Sequence, residues 1–202
     1  MTDPKIKNLV FDFNDVVIWN KEKNLLKEGA KKLKKSFLLT VIRFFLIHYQ
    51  HQVGKINSKQ HWSYVFGLKE KELEKKYNEL IVKPYEKNEE NKNVTKELKK
   101  LKGKFKLFLL SNSCEEQTKI NKKLNRYKYF NEIFLSEQLG VMKPDPRFWI
   151  KMIKKTKIKP KESIYIDDLI HNVFIAKLLG FKTIWYRKKT DFKKELKKFR
   201  IN

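Results

Sequence analysis

The chain has 202 residues, of which 41% are hydrophobic, enough for one large domain or for a domain with an insertion. The single cysteine, Cys114, excludes an internal disulfide framework, and we expect it to be a packed residue rather than a nucleophile. The formal charge of +25 favours polyanions in general, but only 5 of the 48 cationic residues are arginine, which nucleic-acid readers prefer for its bidentate fork. We therefore attribute the charge to a general lysine bias and do not expect a nucleic-acid partner.

The longest apolar tract covers residues 37–49 and is interrupted by Thr40, Arg43 and His48. It is too short to cross a bilayer. The first residues show no apolar run behind a basic stretch, which is the pattern of a secretory signal. We therefore expect a cytoplasmic protein with no membrane partner, and the sequence leaves a monomer and a homodimer open.

The first predicted element is a buried strand over residues 8–13, rich in β-branched and aromatic side chains. Apolar residues at helical spacing then predict helices over residues 21–35, 37–50, 58–64 and 69–80, with Ser36 and Ser58 as candidate N-caps. The helix over 37–50 is apolar on all sides, as a helix buried between neighbours would be. No strand is predicted between residues 18 and 85, so this stretch is expected to be a helical insertion.

The second part of the chain begins with a very polar stretch over residues 86–93, which predicts a hinge. Strands are then predicted over residues 107–110, 133–135, 163–166 and 183–186, and helices over 95–101, 115–124, 145–155, 173–179 and 191–199. This alternation predicts an α/β fold with a parallel sheet and helices on both faces. The predicted domains are an α/β core over residues 1–17 and 86–202 and a small all-helical domain over residues 18–85.

Polar side chains stand where several of these strands end. Asp12, Ser111 and Asp167 each end or directly follow an apolar run, with Asp168 next to Asp167. Ligands of open parallel sheets bind beyond the carboxyl ends of the strands, so we expect these side chains to share one site. Together with Lys143, which precedes a Pro-Asp-Pro sequence, they are the chemical groups that handle a phosphoryl group with a divalent metal ion.

Four segments resemble the motifs of the haloacid dehalogenase (HAD) superfamily: residues 10–17, 109–112, 140–148 and 165–173. The resemblance implies a Rossmann-like core with a strand order resembling 5-4-1-2-3, and it implies that the helical insertion is a cap. It also implies Mg²⁺ as the cofactor. The implied ligands are the carboxylates of Asp12 and Asp167 and the backbone carbonyl of Asn14, with Asp168 acting through water or by holding Lys143.

The same resemblance implies the catalytic roles. Asp12 would be the nucleophile that forms an aspartyl-phosphate, and Ser111 and Lys143 would bind and neutralise the phosphoryl oxygens. Asn14 departs from the phosphatases of the family, which usually carry there a second aspartate that acts as general acid and base. An amide has no proton to give in this range. Poor leaving groups would then be cleaved slowly, or the substrates have good leaving groups, or Asp15 takes over the role.

The substrate-binding residues expected beside Ser111 and Lys143 are Asn112, Trp19 and Arg43. Arg43 has two readings, since it either clamps an anion or packs its stem along the surface. We expect packing or surface roles for His48 and His51, a core position for Trp62, and no metal role for His171.

The sequence thus favours a Mg²⁺-dependent phosphomonoester hydrolase that acts on a small phosphorylated metabolite. Two alternatives stay open at this point. The first is a carbon-acting relative such as a 2-haloacid dehalogenase, which has no need of Mg²⁺. The second is a catalytically weakened binding or regulatory protein of the same fold.

Overall fold

The computed structural model describes residues 4–21 and 24–201. The strands in chain order are β1 (Asn8–Phe11), β2 (Ile18–Trp19), β3 (Glu89–Glu90), β4 (Lys106–Ser111), β5 (Glu132–Leu135), β6 (Ser163–Asp167) and β7 (Lys182–Trp185). Five of them form a parallel sheet in the order β5-β4-β1-β6-β7, with Phe11 of β1 in register with Leu109 of β4 and Ile166 of β6. Numbered among these five strands alone and read from the β7 edge, this order is 5-4-1-2-3, which confirms the Rossmann-like prediction.

The strands of the sheet consist of continuous apolar runs rather than alternating apolar and polar residues, so both faces of the sheet are buried. Leu9 and Phe11 of β1 belong to one core cluster, and Val10 between them belongs to the other. Helices α6 (Lys92–Leu101) and α11 (Phe192–Lys197) contribute to the first cluster. Helices α9 (Arg147–Thr156) and α10 (Ile170–Leu178) contribute to the second. Helices α7 (Glu115–Lys123) and α8 (Ser136–Leu139) follow β4 and β5.

A helical insertion separates β2 from β3. It contains α1 (Leu25–Lys32), α2 (Phe37–Gln52), α3 (Ser58–Phe66), α4 (Glu70–Tyr77), a π-helical turn (Asn78–Val82) and α5 (Lys83–Glu86). Its apolar side chains form a third cluster that includes Trp62, Phe66 and Leu73. We refer to the segment from α1 to α5 as the insertion.

The N-caps of the insertion were predicted in part. Ser36 caps α2, since its hydroxyl accepts a hydrogen bond from the backbone N–H of Leu39 at 3.4 Å. The prediction of Ser58 as the cap of α3 was wrong. Asn57 caps that helix in a reciprocal capping box with Gln60, and Ser58 begins the first turn, where its hydroxyl lies 3.0 Å from His51 Nε2.

The expectation that α2 is buried on all sides was also wrong. Its outward face exposes seven large apolar side chains, with exposed fractions from 45% to 72%: Phe37, Leu38, Leu39, Ile42, Phe45, Leu46 and Tyr49. Only the inward face, with residues such as Phe44 and Ile47, packs against the apolar cluster of the insertion. The helix lies on the outside of the insertion, so only one of its faces has a neighbour.

Two short strands were missed by the sequence analysis. Ile18 and Trp19 of β2 pair antiparallel with Glu90 and Glu89 of β3, so the insertion begins and ends at one two-stranded ribbon. The second strand falls in the stretch that was predicted to be a hinge. In the described part of the chain, no helix is long and apolar enough to cross a membrane.

Candidate active site

The carboxyl ends of three adjacent strands bring the predicted polar residues to one edge of the sheet. Asp12 follows β1 in the centre, Ser111 ends β4 on one side, and Asp167 ends β6 on the other. All three are buried. Lys143 reaches the same place from the loop between α8 and α9, where it is 3% exposed.

Lys143 is clamped between two carboxylates. Its Nζ lies 2.6 Å from Asp12 Oδ1 and 2.8 Å from Asp167 Oδ2. The backbone of Lys143 is fixed as well, because its N–H donates to Asn112 Oδ1 at 2.8 Å and its carbonyl accepts from Asn112 Nδ2 at 3.0 Å. The ion-pair partners of Lys143 are therefore Asp12 and, of the adjacent pair, Asp167 rather than Asp168, and Asn112 positions this lysine.

Asp167 is the most heavily hydrogen-bonded carboxylate of the site. Besides Lys143 it accepts from the hydroxyl of Tyr165, the backbone N–H of Leu169 and the amide of Asn172. No role was predicted from the sequence for Tyr165 or Asn172. A signal was present for Tyr165, since it lies two residues before Asp167 on the same strand and so points to the same face.

Burial raises the pKa of Asp12 to about 7, although Lys143 opposes this shift and Asp167 and Asp168 add to it. Burial, Asp167 and Asp15 likewise raise the pKa of Asp168 to about 6. Burial alone would lower the pKa of Lys143, but the two adjacent carboxylates outweigh it and the pKa is raised. One lysine thus fails to balance the negative charge of the site.

The donor set fits a hard divalent cation. Asp12, Asp167 and Asp168 each offer a carboxylate oxygen, and the three oxygens lie within 4.8 Å of one another. Carboxylate oxygens are the ligands that Mg²⁺ and Ca²⁺ prefer, and a cation would offset both the burial and the carboxylate repulsion that raise the two pKa values.

Two clefts open next to these residues, and they differ in charge. The outer cleft, of about 620 Å³, is lined by Asp15 and Asp168 and by the cationic side chains of Lys21, Arg187 and Lys188. The insertion cleft, of about 400 Å³, lies between the insertion and the core, with Asn14, Asn112 and Met142 on the core side. Asn14 and Asp15 are sequence neighbours, yet they line different clefts.

The structure brings together most of the predicted substrate-binding residues but not all. Trp19 lines the outer cleft, where its ring centroid is 6.4 Å from that of Tyr186. Arg43 lines neither cleft. Its guanidinium lies against Gly67, which ends α3 with φ of 62°, and a side chain at Gly67 would collide with it. The arginine thus packs over the C-terminal end of a helix, where a cation is favourable.

The remaining predictions on single residues concern packing. Cys114 is buried and makes no disulfide, as expected. Among the histidines, His171 is exposed at the start of α10, whereas His48 and His51 line the insertion cleft together with His61 and Trp62. The sequence analysis missed this grouping, because His61 and Trp62 come from α3 and reach α2 only through the packing of the two helices.

A Rossmann-like sheet with a buried lysine and three carboxylates at its carboxyl edge defines an α/β protein with an acidic centre that could hold a cation. The family model of haloacid dehalogenase-like hydrolases matches residues 8–186. The chain therefore belongs to the haloacid dehalogenase-like hydrolase family.

Individual relatives agree with this family. The chain is 37% identical over 90 residues to a D-ribitol-5-phosphate phosphatase of Bacteroides thetaiotaomicron, which covers 44% of this chain and 43% of the relative. It is 33% identical over 60 residues to a glyceraldehyde 3-phosphate phosphatase of Pyrococcus furiosus, which covers 29% of this chain and 25% of that protein. The matched stretches thus span less than half the length of these curated relatives.

The fold is shared over nearly the whole chain with a HAD family enzyme of Bacteroides thetaiotaomicron that was solved as a magnesium complex. The TM-score is 0.77 at 24% identity, and the superposition covers 96% of this chain and 99% of the other. At this level of identity the likeness shows the fold alone.

Proposed function

We propose that the protein is a Mg²⁺-dependent phosphomonoester hydrolase that acts on small phosphorylated metabolites, with Asp12 as nucleophile. The observation that carries this proposal is the contact of Lys143 Nζ with Asp12 at 2.6 Å and with Asp167 at 2.8 Å, beside the third carboxylate of Asp168. The two curated relatives are phosphatases of small phosphorylated compounds, which supports the same activity.

Asp12, Asp167 and Asp168 would hold the Mg²⁺ ion. The ion would supply positive charge that keeps Asp12 ionised and stabilises the charge on the phosphoryl oxygens. Lys143 adds a second, fixed positive charge at the same place, and Asn112 keeps its backbone in position. We assign to Ser111 a hydrogen bond to a phosphoryl oxygen.

The reaction has two steps. A carboxylate oxygen of Asp12 forms a bond to phosphorus while the bond from phosphorus to the leaving oxygen breaks, which gives an aspartyl-phosphate and the alcohol. Water then attacks the phosphorus, and the carboxylate of Asp12 leaves with release of phosphate. Asn14 gives no proton to the leaving oxygen, so the first step depends on solvent or on a substrate with a good leaving group.

We also propose that the insertion is a cap over this site, in a domain of residues 18–85, with the core in residues 1–17 and 86–202. The two clefts support this division, since the insertion forms one wall of the insertion cleft and the acidic centre lies on the core side. A lid of this kind restricts the site to small substrates.

The direct test is hydrolysis of 4-nitrophenyl phosphate with and without Mg²⁺. We expect turnover that requires the cation and that falls by at least about 10³-fold in Asp12→Asn, because the nucleophile is lost. Asp191→Asn is the matched control. Asp191 caps α11 and is not among the residues that line either cleft, and asparagine caps a helix equally well, so this variant should keep full activity.

The 2-haloacid dehalogenase alternative predicts an activity that does not depend on Mg²⁺. Halide release that persists in excess chelator would overturn the phosphatase proposal, and so would unchanged turnover in Asp12→Asn. A binding or regulatory protein would show no turnover, and neither Mg²⁺ nor phosphate analogues would raise its melting temperature.

A further inference from the structure

The outward face of α2 concentrates much of the exposed apolar surface of the protein. Seven of the fifteen large apolar side chains that are exposed in the described part of the chain lie on this face. At about 100 Å² for each half-exposed large side chain, the face presents roughly 700 Å² of apolar surface. A monomer usually exposes an apolar patch of only a few hundred Å². Each partner in a standard protein–protein interface contributes about 800 Å², so the face has the size of a dimer interface.

The centre of this face is a straight apolar stripe along the helix. The stripe consists of Leu38, Ile42, Phe45 and Tyr49, and its spacing of four, three and four residues is that of the a and d positions of a heptad. Such a stripe runs nearly parallel to the helix axis. A second helix can therefore pack along the whole of α2, whose 16 residues span about 24 Å.

The stripe is complementary to itself. When two copies of α2 pair antiparallel about a two-fold axis between residues 43 and 44, Ile42 of one copy lies opposite Phe45 of the other. Leu38 then lies opposite Tyr49. Each layer pairs an aliphatic side chain with an aromatic ring, so the layers have similar bulk. Pairing of one surface with itself about a two-fold axis is the commonest arrangement of homo-oligomers.

The charge of the protein also favours this face for contact between copies. Two copies with a formal charge of +25 each repel, so they approach most easily where the surface carries little charge. Arg43 is the only lysine, arginine, aspartate or glutamate between residues 37 and 52, and its guanidinium lies against Gly67 at the end of α3. The nearest lysines along the chain, Lys35 and Lys55, are exposed beyond the two ends of the helix.

Two other assignments agree less well with these observations. A helix that lies in a membrane surface carries many cationic side chains on its polar face, whereas α2 contains a single arginine and packs its other face against the insertion. Helix α10 also exposes an apolar stripe, made of Ile170, Phe174 and Leu178. The spacing of four residues makes that stripe wind around the helix, and Lys177 adjoins it, so it is less suited to pairing along a helix.

We propose that the outward face of α2 binds the same face of a second copy of the chain as an antiparallel helix pair, which makes the protein a homodimer. This inference does not depend on the proposed phosphatase function, since no step of the hydrolysis uses this face. Antiparallel pairing brings the Lys35 end of one helix near the Lys55 end of the other. Because these lysines repel, screening by salt should strengthen the dimer.

The test begins with sedimentation equilibrium of the full chain at low and at high salt. We expect a dimer with a Kd of about 10 μM or lower, and a Kd that falls as salt is added. A protein that stays monomeric at about 100 μM under both conditions would overturn the inference. So would a Kd that rises with salt, because it would indicate an interface held by opposite charges.

Paired variants locate the interface. Phe45→Glu places a charge in the stripe twice per dimer and should raise Kd by at least about 100-fold. Phe174→Glu is the matched control, since Phe174 is also an exposed phenylalanine on a helix, 57% exposed against 72% for Phe45, and it should keep the Kd of the unmodified protein. Melting temperatures show which variants fold, and if Phe45→Glu does not fold, Leu38→Glu carries the test. Loss of the dimer in Phe174→Glu alone would overturn the inference.

Single cysteines report the direction of pairing. At a rise of 1.5 Å per residue, antiparallel pairing places the two copies of residue 42 about 5 Å apart along the helix axis and those of residue 38 about 16 Å apart. A short bis-maleimide should therefore crosslink Ile42→Cys efficiently and Leu38→Cys poorly, while the buried Cys114 does not react. Equal crosslinking of the two variants would overturn the antiparallel pair.

Co-sedimentation with vesicles of phosphatidylserine and phosphatidylcholine distinguishes a second copy from a lipid surface. A monomer that binds these vesicles through Phe45, with binding that weakens as salt is added, would overturn the inference. A dimer that depends on Phe45 and does not bind the vesicles supports it. Turnover of 4-nitrophenyl phosphate tests the phosphatase proposal separately, so a dimer without turnover refutes that proposal and leaves this inference intact.

Discussion

Lys143 lies between two carboxylates that are far apart in the sequence. It is 131 residues from Asp12 and 24 from Asp167, yet its Nζ contacts both in the interior. Removing one member of a buried ionic group leaves the others unpaired, which costs far more than loss of a surface pair. At the residue scale, this lysine therefore contributes both to folding and to the proposed chemistry.

We predict that Lys143→Met lowers the free energy of unfolding by about 3 kcal/mol, as measured by urea denaturation without metal, and abolishes phosphatase activity. Lys7→Met is the control. Lys7 pairs with Glu162 at 2.8 Å, but its side chain is 62% exposed, so its loss should cost about 0.5 kcal/mol or less. Equal effects of the two substitutions would contradict the role of Lys143.

Asn14 is the residue at which the site departs from the phosphatases it resembles. It lines the insertion cleft, while Asp15 lines the outer cleft beside Asp168. Asp15 has a left-handed backbone with φ of 56°, and its carboxylate accepts from the N–H of Asn20 at 3.3 Å. The two adjacent side chains thus point into different clefts, and Asp15 is poorly placed to replace an acid at position 14.

We predict that Asn14→Asp raises kcat for an alkyl phosphate by up to about 10²-fold and changes kcat for 4-nitrophenyl phosphate much less, because only the poor leaving group needs a proton. Steady-state kinetics on the two substrates measure the difference. Asn125→Asp, at an exposed position with φ of 50°, is the control. An equal gain on both substrates would speak against general acid catalysis.

At the scale of elements, the packing of α2 against α3 buries His51 and His61 and half-buries His48. The pKa values of these histidines are lowered in the folded state, so their rings stay neutral there. In the unfolded chain the histidines have their ordinary pKa of 6.5 and take up protons below that pH. The stability that this neutrality allows is fully present above pH 6.5 and is lost as the pH falls toward about 3.

We predict that His61→Phe removes part of this acid sensitivity. The free energy of unfolding of the unmodified protein should fall from pH 7 to pH 5 by about 2 kcal/mol more than that of the variant. The variant must be compared with the unmodified protein, because Asp12 and Asp168 have raised pKa values in the folded state. Their protonation therefore stabilises the folded protein as the pH falls through part of the same range. If urea denaturation gives parallel pH profiles for His61→Phe and the unmodified protein, the prediction is contradicted. The control His171→Phe should show the same pH profile as the unmodified protein.

The end of the insertion is held by one arginine of the core. Arg126 is 8% exposed, and its guanidinium donates to the backbone carbonyls of Tyr85 at 3.2 Å and Glu86 at 2.9 Å and also to that of Asn88. Its contact with Asn121 Oδ1 at 3.1 Å fixes it to α7. A planar fork of five donors suits such an array of carbonyls, and lysine does not replace it.

We predict that Arg126→Met lowers the free energy of unfolding by about 2–3 kcal/mol and speeds hydrogen exchange at residues 85–90, because three backbone carbonyls lose a charged donor. Arg200→Met, at an exposed position, should leave both quantities unchanged. A loss of stability spread evenly over the amides, with no local change in exchange, would argue against a local tether.

At the scale of the whole molecule, we expect the acidic centre to couple folding to cation binding, because the three carboxylates come together only in the folded chain. We predict that saturating Mg²⁺ raises the melting temperature by roughly 5 °C relative to Na⁺ at equal ionic strength. Asp168→Asn should raise the melting temperature without metal, because it removes a repelling carboxylate, and should diminish the Mg²⁺ shift. The control Asp191→Asn should keep the full rise in melting temperature with Mg²⁺. If the unmodified protein, Asp168→Asn and Asp191→Asn all show the same rise, the cation binds outside the acidic centre.

Much of the core was predictable, because buried strands and amphipathic helices leave local patterns in the sequence. The apolar runs before Asp12, Ser111 and Asp167 identified the strand ends and hence the edge of the sheet where the site lies. The pair β2 and β3 was missed, since strands of two residues have no periodicity. The sequence left Arg43 open between an anion clamp and a packed position, because the direction of its side chain depends on which face of α2 is packed, and the structure shows the packed position. The cytoplasmic location and the oligomeric state stay predictions.

The sequence by itself determined the α/β class, the order of the strands and the set of charged groups at the carboxyl edge, because these follow from local hydrophobic patterns and from motif resemblance. Only the tertiary structure decided that Lys143 pairs with Asp167, that Asn14 and Asp15 line different clefts, and that the described residues lining one of these clefts include no lysine, arginine, aspartate or glutamate. Such facts depend on which side chains approach one another when the insertion packs against the core, and no local pattern encodes that approach.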